Sequence, residues 1–168
     1  MVEQHDLVIR RAVAGDVARV RAFGVEHVPP HYAPLIGAEA AERQVTLWWQ
    51  TEQIAAAVSD GAIHLAEVDG RVVGVVEHGQ HGGDVVIWKL YLDPAHRGRG
   101  IGPRLVAAVI AALPTEVRRV GVEHFAGNVR AAAFYEREGF VVDRVERNAD
   151  GVAELDVVWR ALTLERPA

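Results

Sequence analysis

The sequence predicts an α+β fold with a mixed α/β sheet, and three observations lead to that class. Three apolar, strand-like segments follow one another in the middle of the chain, joined only by short glycine turns, which is typical of an antiparallel meander. Helices and strands alternate after that. Two last strand-like segments flank Asp150-Gly151, a strong hairpin signal. The predicted order is β-α-α-β-β-β-α-β-α-β-β, in a single domain over residues 1–168.

The first half of this order begins with a strand and two helices. A strand is predicted at Leu7–Ala12, and Gly15-Asp16 then starts a helix with an apolar stripe. We expect the Val28–Pro34 segment, VPPHYAP, to end that helix, because proline removes a backbone donor and restricts the residue before it. A second helix is predicted over Ala38–Val58. The meander strands are predicted at Ala62–Val68, Val72–Gly79 and Val85–Leu92, with turns at Asp69-Gly70 and His81-Gly82-Gly83.

The second half contains two helices and three strands. Pro114 ends the first of these helices, and Gly139 offers a left-handed end to the second. The predicted bounds are a helix at Gly100–Leu113, a strand at Arg119–His124, a helix at Asn128–Glu138, and strands at Phe140–Arg147 and Val152–Ala161.

Composition excludes several classes of function. Half of the residues are apolar, a quarter are charged and the formal net charge is -5, so we expect a globular protein with no nucleic acid as partner. The chain has no cysteine, which leaves no disulfide, thiolate metal site or cysteine nucleophile and fits a cytoplasmic location. The N-terminal MVEQHDLVIRR is too polar for a signal peptide, and no apolar run would cross a membrane. His78 and His81 lie on a hairpin without a carboxylate frame, so we expect no metal.

The segment HRGRGIGPRL carries the clearest chemical signal. Glycines just before a helix allow a phosphate to approach the unpaired amides of the helix start, and the arginines add charge-assisted contacts. A P-loop would need Gly-Lys-Ser/Thr, which is missing, and a dinucleotide fingerprint starting at Gly98 fails at Pro103. The physical prediction is a phosphate-binding turn, with an ordinary glycine-rich turn as the alternative.

A second motif follows downstream, in NVRAAAFYEREGF. The two motifs together resemble the GCN5-related N-acetyltransferase (GNAT) family. In that family a strand near a proline leads to Arg/Gln-x-x-Gly-x-Gly/Ala at a helix start, and then comes Asn-x-x-Ala-x-x-Phe/Leu-Tyr-x-x-x-Gly-Phe. The matching residues are Arg97, Gly100 and Gly102 in the first motif, and Asn128, Ala131, Phe134, Tyr135, Gly139 and Phe140 in the second. The resemblance is sharp over Val85–Phe140 and extends to the predicted order of elements elsewhere.

The resemblance implies a GNAT-like acyl-CoA N-acyltransferase fold and acetyl-CoA as co-substrate. Backbone groups near Leu90 and Leu92 would pair with the pantetheine arm. Asn128 would bind the cofactor, with a simple helix N-cap as the alternative, and Tyr135 would protonate the departing thiolate, with a core tyrosine as the alternative. Pro103 departs from a pattern rich in donors, because it has no N–H. The pyrophosphate would bind the turn formed by Arg97, Gly98, Arg99, Gly100, Ile101 and Gly102.

Four residues at two strand ends are candidates for the general base, and the sequence does not choose among them. Glu77 and His78 end one strand, and Glu123 and His124 end another; alternation sends the members of each pair to opposite faces. The resemblance therefore implies direct transfer of an acetyl group to an amine in a ternary complex. The alternative is a CoA-binding sensor without turnover, or a partner-binding module on the same fold.

The acceptor is expected to be a small-molecule or peptide amine. Two segments are candidates for its pocket: HVPPHY at His27–Tyr32, whose prolines also fit simple punctuation, and Trp48-Trp49, with core packing by one of the pair as the alternative. Dimers are common in the family, so the resemblance also allows a homodimer.

Overall fold

A computed structural model describes residues 6–166 and has the α+β architecture that the sequence predicts. The first five residues, on which the expectation about a signal peptide partly rests, lie outside the described range. The strands are β1 (Leu7–Arg11), β2 (Ile63–Val68), β3 (Arg71–His81), β4 (Asp84–Leu92), β5 (Arg119–Phe125), β6 (Val141–Glu146) and β7 (Val157–Thr163). The α-helices are α1 (Val17–Ile36), α2 (Ala38–Trp48), α3 (Thr51–Ser59), α4 (Ile101–Ala112) and α5 (Val129–Arg137). No helix in residues 6–166 is both long and apolar enough to span a bilayer.

The seven strands form one mixed sheet in the order β1-β2-β3-β4-β5-β7-β6. The pairs β1–β2, β2–β3, β5–β7 and β6–β7 are antiparallel. Strands β4 and β5 are parallel, with a ladder that runs from Val85 opposite Val120 to Ile87 opposite Val122. Both strands continue beyond this ladder, β4 to Leu92 and β5 to Phe125. The sheet is therefore mixed, as predicted.

The chain forms two compact units. The first comprises residues 6–77 with Lys89–Ala112, and the second comprises His78–Trp88 with residues 113–166. Strands β3 and β4 each supply residues to both units. The single domain expected over 1–168 stays a prediction.

Helix α1 corrects the prediction at Val28–Pro34. The helix does not end there but runs through Pro29, Pro30 and Pro34 to Ile36. Each proline forfeits one helical hydrogen bond, at a typical cost of about 3 kcal/mol. Burial outweighs this cost, because Val28 and Pro29 are buried and α1 packs against α2 and α3.

The helix predicted over Ala38–Val58 is two helices. Trp49 (φ -124°, ψ 34°) and Gln50 (φ -70°, ψ 146°) leave the helical region between α2 and α3. The break turns the Trp49 indole into the core, where it is 2% exposed. It lies so close to Gly24 that a β-carbon there would come within 2.1 Å of the ring. Trp48 is exposed, so core packing by one of the pair is confirmed for Trp49.

An ion-pair network fixes the start of the first unit. The buried Asp16 carboxylate accepts hydrogen bonds from Arg10, from Arg19 and from the Val13 amide, at 2.7 to 2.9 Å. Glu67 on β2 accepts from the same two arginines, at 2.6 to 3.1 Å. Arg10, whose guanidinium donates the leading hydrogen bond, holds the pKa of both carboxylates below their ordinary values, although burial opposes the shift.

The last strand of the second unit begins later than predicted, at Val157 rather than Val152. Buried Asp156 accepts hydrogen bonds from the Asn148 amide (2.8 Å) and the Arg147 guanidinium (2.6 Å), which ties down the loop before β7. A short 3-10 turn at Ala153–Leu155 occupies the predicted start of the strand. All six residues of β6, the strand at the edge of the sheet, are exposed, and its pairing with β7 shifts between Val142 and Arg144.

Candidate functional site

The predicted phosphate-binding turn lies between β4 and α4 in the first unit. Gly98 and Gly100 both have φ of +74°, a left-handed conformation that favours glycine. A β-carbon at either position would meet no atom within 4 Å, so the glycines are needed for their backbone and not for space. The first amides of an α-helix have no carbonyl partner within the helix and carry a partial positive charge. The turn is thus open and electropositive, as an anion-binding loop must be.

The start of the turn is fixed by Asp93, which is buried at the end of β4. Its backbone amide donates to the Val73 carbonyl (2.8 Å), and its carboxylate accepts from the Ala95 amide (2.9 Å) and lies 3.2 Å from His96 Nδ1. Burial alone would raise the pKa of Asp93, but the Ala95 amide and the nearby histidines lower it overall. Asp93 therefore stays charged and anchors the approach to the turn.

Individual positions of the turn differ in what they can offer a phosphate. The Arg97 amide donates to the Pro94 carbonyl at 3.3 Å and is already engaged. The side chain of Arg97 is half-buried, while that of Arg99 is exposed. Ile101 and Gly102 are buried in the first turn of α4, and Pro103 follows as its third residue, where a missing N–H costs the helix nothing.

The predicted pantetheine contacts Leu90 and Leu92 are half-buried on β4. Leu92 packs over Gly74 so closely that a β-carbon on Gly74 would lie 2.7 Å from its Cδ2. Because Leu90 and Leu92 are two residues apart on a strand, they share one face of the sheet.

Glu77, one of the candidate bases, is held in an ion pair. Lys89 Nζ donates to its carboxylate at 2.5 Å, and both side chains are largely buried. Lys89 also lies 5.4 Å from the centre of the Trp49 ring, which contacts Tyr91 edge-on. To accept a proton from a substrate, Glu77 would have to give up this lysine. Sequence reasoning missed Lys89, because its pairing depends on the register between β3 and β4.

The HVPPHY segment lies within α1 and contributes two aromatic residues to the same unit. The Tyr32 and Tyr91 hydroxyls are 2.9 Å apart, and His31 contacts both rings edge-on. Because it belongs to α1, the HVPPHY segment is helical and does not form a loop.

Asn128 precedes α5 and Tyr135 lies on it, both in the second unit. Asn128 Oδ1 accepts from the Ala131 amide at 3.1 Å, so this residue does cap the helix. The cap occupies Oδ1, and the side-chain amide also carries two N–H donors. Tyr135 is 7% exposed and packs edge-on against Phe134 and Phe140. Its ring is confined to one position by its neighbours.

His124 is buried on β5, and both of its ring nitrogens have partners. Nδ1 donates to the Phe125 carbonyl (2.9 Å), and Nε2 accepts from Arg160 Nε (3.1 Å). These bonds fix one neutral tautomer. Burial lowers the pKa of His124, and the charge of Arg160 lowers it further, against the Phe125 hydrogen bond. The ring stacks on Tyr135 at 6.1 Å between centroids, so the neutral imidazole helps to position the tyrosine.

Glu123 points to the opposite face of β5 from His124, and although the residue is exposed its carboxyl is partly enclosed by neighbouring side chains. Partial burial raises its pKa, and the neighbouring Glu146 carboxylate adds to the shift, while His81 and Arg144 oppose it. A carboxylate with a raised pKa is a better proton acceptor near neutral pH than an ordinary one. Among the candidate bases, Glu123 has the electrostatic environment that the role needs.

The predicted residues thus fall into two groups, each within one unit. Glu77, Leu90, Leu92 and the turn at 97–102 lie in the first unit, and Glu123, His124, Asn128 and Tyr135 lie in the second. Within residues 6–166, no three His, Cys, Asp or Glu side chains are arranged to hold a metal ion.

Comparison with known proteins connects this arrangement to one family. Residues 27–140, more than half of the chain, match the model described as the Acetyltransferase (GNAT) family. A mycothiol acetyltransferase of Rhodococcus opacus is 44% identical over 64 residues, which are 35% of this chain and 20% of that relative. The chain therefore aligns with about a fifth of the length of that relative. A 5-NmdU N-acetyltransferase of Pseudomonas phage PaMx11 is 29% identical over 100 residues, 58% of this chain and 70% of that relative.

Solved structures share the fold. The PaiA N-acetyltransferase of Thermoplasma acidophilum, in complex with coenzyme A, superposes with a TM-score of 0.82 over 95% of this chain and 99% of that chain. The sequence identity is 16%, so the similarity concerns the architecture.

Proposed function

Because the chain belongs to the GNAT family of acetyltransferases, we propose that it transfers an acetyl group from acetyl-CoA to an amine acceptor. The observation that carries the proposal is the turn at Gly98 and Gly100, which lies inside the matched region and is open to an anion. A cytoplasmic location goes with this proposal, since the chain has no cysteine.

The pyrophosphate of acetyl-CoA would bind the turn from Gly98 to Gly102. Two left-handed glycines expose the backbone, and the start of α4 directs its amides and partial positive charge at the ligand. Arg99, which is exposed, supplies a charge-assisted contact. The Arg97 amide is engaged by Pro94, so we assign Arg97 a contact through its guanidinium only.

The pantetheine arm would pair with the backbone of Leu90 and Leu92. The parallel β4–β5 ladder covers Val85 to Ile87, and β4 continues to Leu92, which supports an additional strand-like partner there. A backbone amide in this stretch would donate to the thioester carbonyl and stabilise the oxyanion that forms during attack. Asn128 would contact the cofactor through its side-chain amide while Oδ1 caps α5.

Glu123 and Tyr135 would move the protons. A protonated amine cannot attack, so Glu123 accepts a proton from the acceptor, directly or through water. The amine nitrogen then forms a bond to the carbonyl carbon, the C–S bond breaks, and the Tyr135 hydroxyl protonates the departing thiolate. We prefer Glu123 to Glu77 and His124, because Lys89 holds Glu77 and Arg160 occupies the Nε2 lone pair of His124.

We propose that the transfer is direct and takes place in a ternary complex, and the composition supports this. The chain has no cysteine to carry an acetyl group between two half-reactions. Much of the rate enhancement would then come from holding the amine and the thioester in the geometry that attack requires.

Calorimetric titration with acetyl-CoA tests the first half of the proposal, with NAD and ATP as controls. Binding of acetyl-CoA alone is the expected result, and binding of none would favour a partner-binding module. Release of free CoA in the presence of a panel of primary amines tests turnover. Acetyl-CoA binding without release from any amine would indicate a CoA-binding sensor.

A further inference from the structure

We propose that three rings of the second unit, His81, Trp88 and Trp159, form the surface that binds the acceptor, and that the acceptor is an amine carried on a flat aromatic body. These three residues are called the aromatic cluster below. The inference rests on the proposed function and adds the substrate class to it.

The rings of the aromatic cluster contact one another in a defined geometry. His81 stacks on Trp159 with 5.4 Å between ring centroids and an interplanar angle of 11°. Trp88 meets both rings edge-on, His81 at 5.5 Å and Trp159 at 6.2 Å. His81 is exposed and Trp88 is 36% exposed, so ring surface is offered to solvent although the cluster is ordered by its own contacts.

Gly79 fixes the position of Trp88. A β-carbon at Gly79 would lie 2.8 Å from Trp88 Nε1 and 3.1 Å from its Cδ1, so the indole rests directly on the backbone of β3. Glycine in the interior of a strand weakens the strand and often marks the close approach of another group. The group that approaches here is the indole of Trp88, which is held against the backbone and keeps part of its ring surface open to a ligand.

The aromatic cluster lies on the same face of the sheet as Glu123, the proposed base. Glu123 is directly opposite Trp159 in the β5–β7 pairing. The parallel ladder brings Ile87 opposite Val122, so the next residues along the two strands are Trp88 and Glu123. An amine that reaches Glu123 from this face must therefore have its remaining atoms beside these rings.

Trp159 provides an independent indication of a ligand. Its ring is 7% exposed, yet its Nε1 is buried without a hydrogen-bond partner in the described part of the chain. Buried donors in proteins are almost always paired, and an unpaired one calls for an explanation. Arg144 covers the same ring, with its guanidinium carbon 4.2 Å from the centroid. Its side chain is half exposed and pairs with Asp143 and Glu146 at 3.3 to 3.4 Å, so a ligand that reaches the ring has to displace it from these surface contacts. A polar atom on the ligand would then satisfy the indole N–H.

The charges around Glu123 decide between two kinds of amine. A polyamine would need several carboxylates along its length, but the groups that act on Glu123 are Glu146, Arg144 and His81, which carry both signs. Arg144 would repel a second ammonium group. Glu146 is already paired with Arg144 at 3.3 Å, so Glu123 is the carboxylate that faces the amine. A single amine on an uncharged flat ring matches this arrangement and the exposed ring surface.

The test compares two amines of nearly equal size, 2-phenylethylamine and 2-cyclohexylethylamine, with spermidine as the polyamine. Initial rates of CoA release give kcat/KM for each. We expect wild-type protein to prefer 2-phenylethylamine to both others by roughly five-fold or more, the range of aromatic pair interactions. Trp88→Ala should remove this preference and lower kcat/KM for 2-phenylethylamine roughly ten-fold, with the Kd of acetyl-CoA unchanged by calorimetry.

Three further variants make the outcome specific. Trp48→Ala makes the same substitution at the exposed tryptophan of α2 and should leave the preference intact. Gly79→Ala keeps the tryptophan but displaces it and should reduce the preference. Trp88→Leu retains an apolar side chain in case the alanine variant unfolds, and thermal melting checks each protein.

The outcomes separate the inference from the proposed function. A wild-type preference for spermidine or for the cyclohexyl amine would overturn the inference while acetyl transfer stands. Loss of the preference in Trp48→Ala but not in Trp88→Ala would place the acceptor on α2 and overturn it as well. Failure of wild-type protein to acetylate any amine would remove the proposed function and the inference together.

Discussion

Substitution of Gly100 gives the most direct test of the phosphate-binding turn. Gly100 has φ of +74°, and a β-carbon there would meet no atom within 4 Å. Alanine at this position costs only the strain of an L-residue in the left-handed conformation, about 1 kcal/mol. If the free loop relaxes to avoid this strain, binding has to restore it, and the affinity for acetyl-CoA is roughly five-fold weaker. Aspartate would add a carboxylate beside the pyrophosphate. For a separation of about 5 Å and an effective dielectric constant of about 20, each pair of unit charges repels by about 3 kcal/mol.

The expected series is therefore a small loss for Gly100→Ala and a loss of at least about two orders of magnitude for Gly100→Asp. Calorimetric titration with acetyl-CoA measures both. Gly151→Asp is the matched control, since Gly151 has φ of +73° and equally open surroundings in the loop before β7. If Gly100→Asp binds acetyl-CoA as tightly as wild type, the turn does not hold the pyrophosphate and the reasoning from its geometry is wrong.

Three other predictions concern proton transfer and stability. Glu123→Gln should lower kcat by about 10²-fold or more. Because partial burial raises the pKa of Glu123, the wild-type rate should begin to fall on acidification at a higher pH than it would with an ordinary carboxylate. The pH–rate profile of the variant should lack this acidic limb. Tyr135→Phe should lower kcat by a similar factor with the Kd of acetyl-CoA unchanged, and an unaltered pH–rate profile and rate would argue against its acid role. Asp16→Asn should lower the free energy of unfolding by about 3 kcal/mol in urea titrations near pH 7, since a buried carboxylate loses its pairing with Arg10. The folded-state pKa of Asp16 is depressed, so its contribution is fully present above the unfolded pKa near 4 and is lost as the pH falls; the difference between wild type and variant should shrink in acid.

The meander was predictable because its signals are local. Asp69-Gly70 forms the β2–β3 turn with φ of 51° and 75°, the left-handed pair that such a turn requires. The left-handed turn before α4 was predictable for the same reason, since its glycines and the helix they precede are adjacent in sequence, while its role in binding phosphate stays a prediction. Local signals of this kind need no knowledge of what packs against them.

The helices of the first unit depended on packing that the sequence does not display. Three prolines are good grounds for ending a helix, yet α1 continues because its buried side chains gain more than the missing hydrogen bonds cost. No proline or glycine marks the break between α2 and α3, which occurs where Trp49 turns into the core.

The partners of the candidate site residues were equally beyond local reasoning. Lys89 reaches Glu77 from the neighbouring strand, and Arg160 reaches His124 from 36 positions along the chain. Such pairings depend on strand register, which side-chain alternation narrows but does not determine. They bear on the choice of base, because they argue against Glu77 and His124 and leave Glu123 as the base that we propose.

The irregular edge strand β6 has a consequence for self-association. An exposed edge with Val141 and Val145 on it would ordinarily act as a template on which a second copy extends the sheet. The register shift around Asp143 interrupts the row of backbone donors and acceptors, and Arg144 and Glu146 add charges that an incoming strand would have to desolvate. A dimer of this protein would accordingly be joined through a surface other than the β6 edge, and the exposed valines need not lead to aggregation.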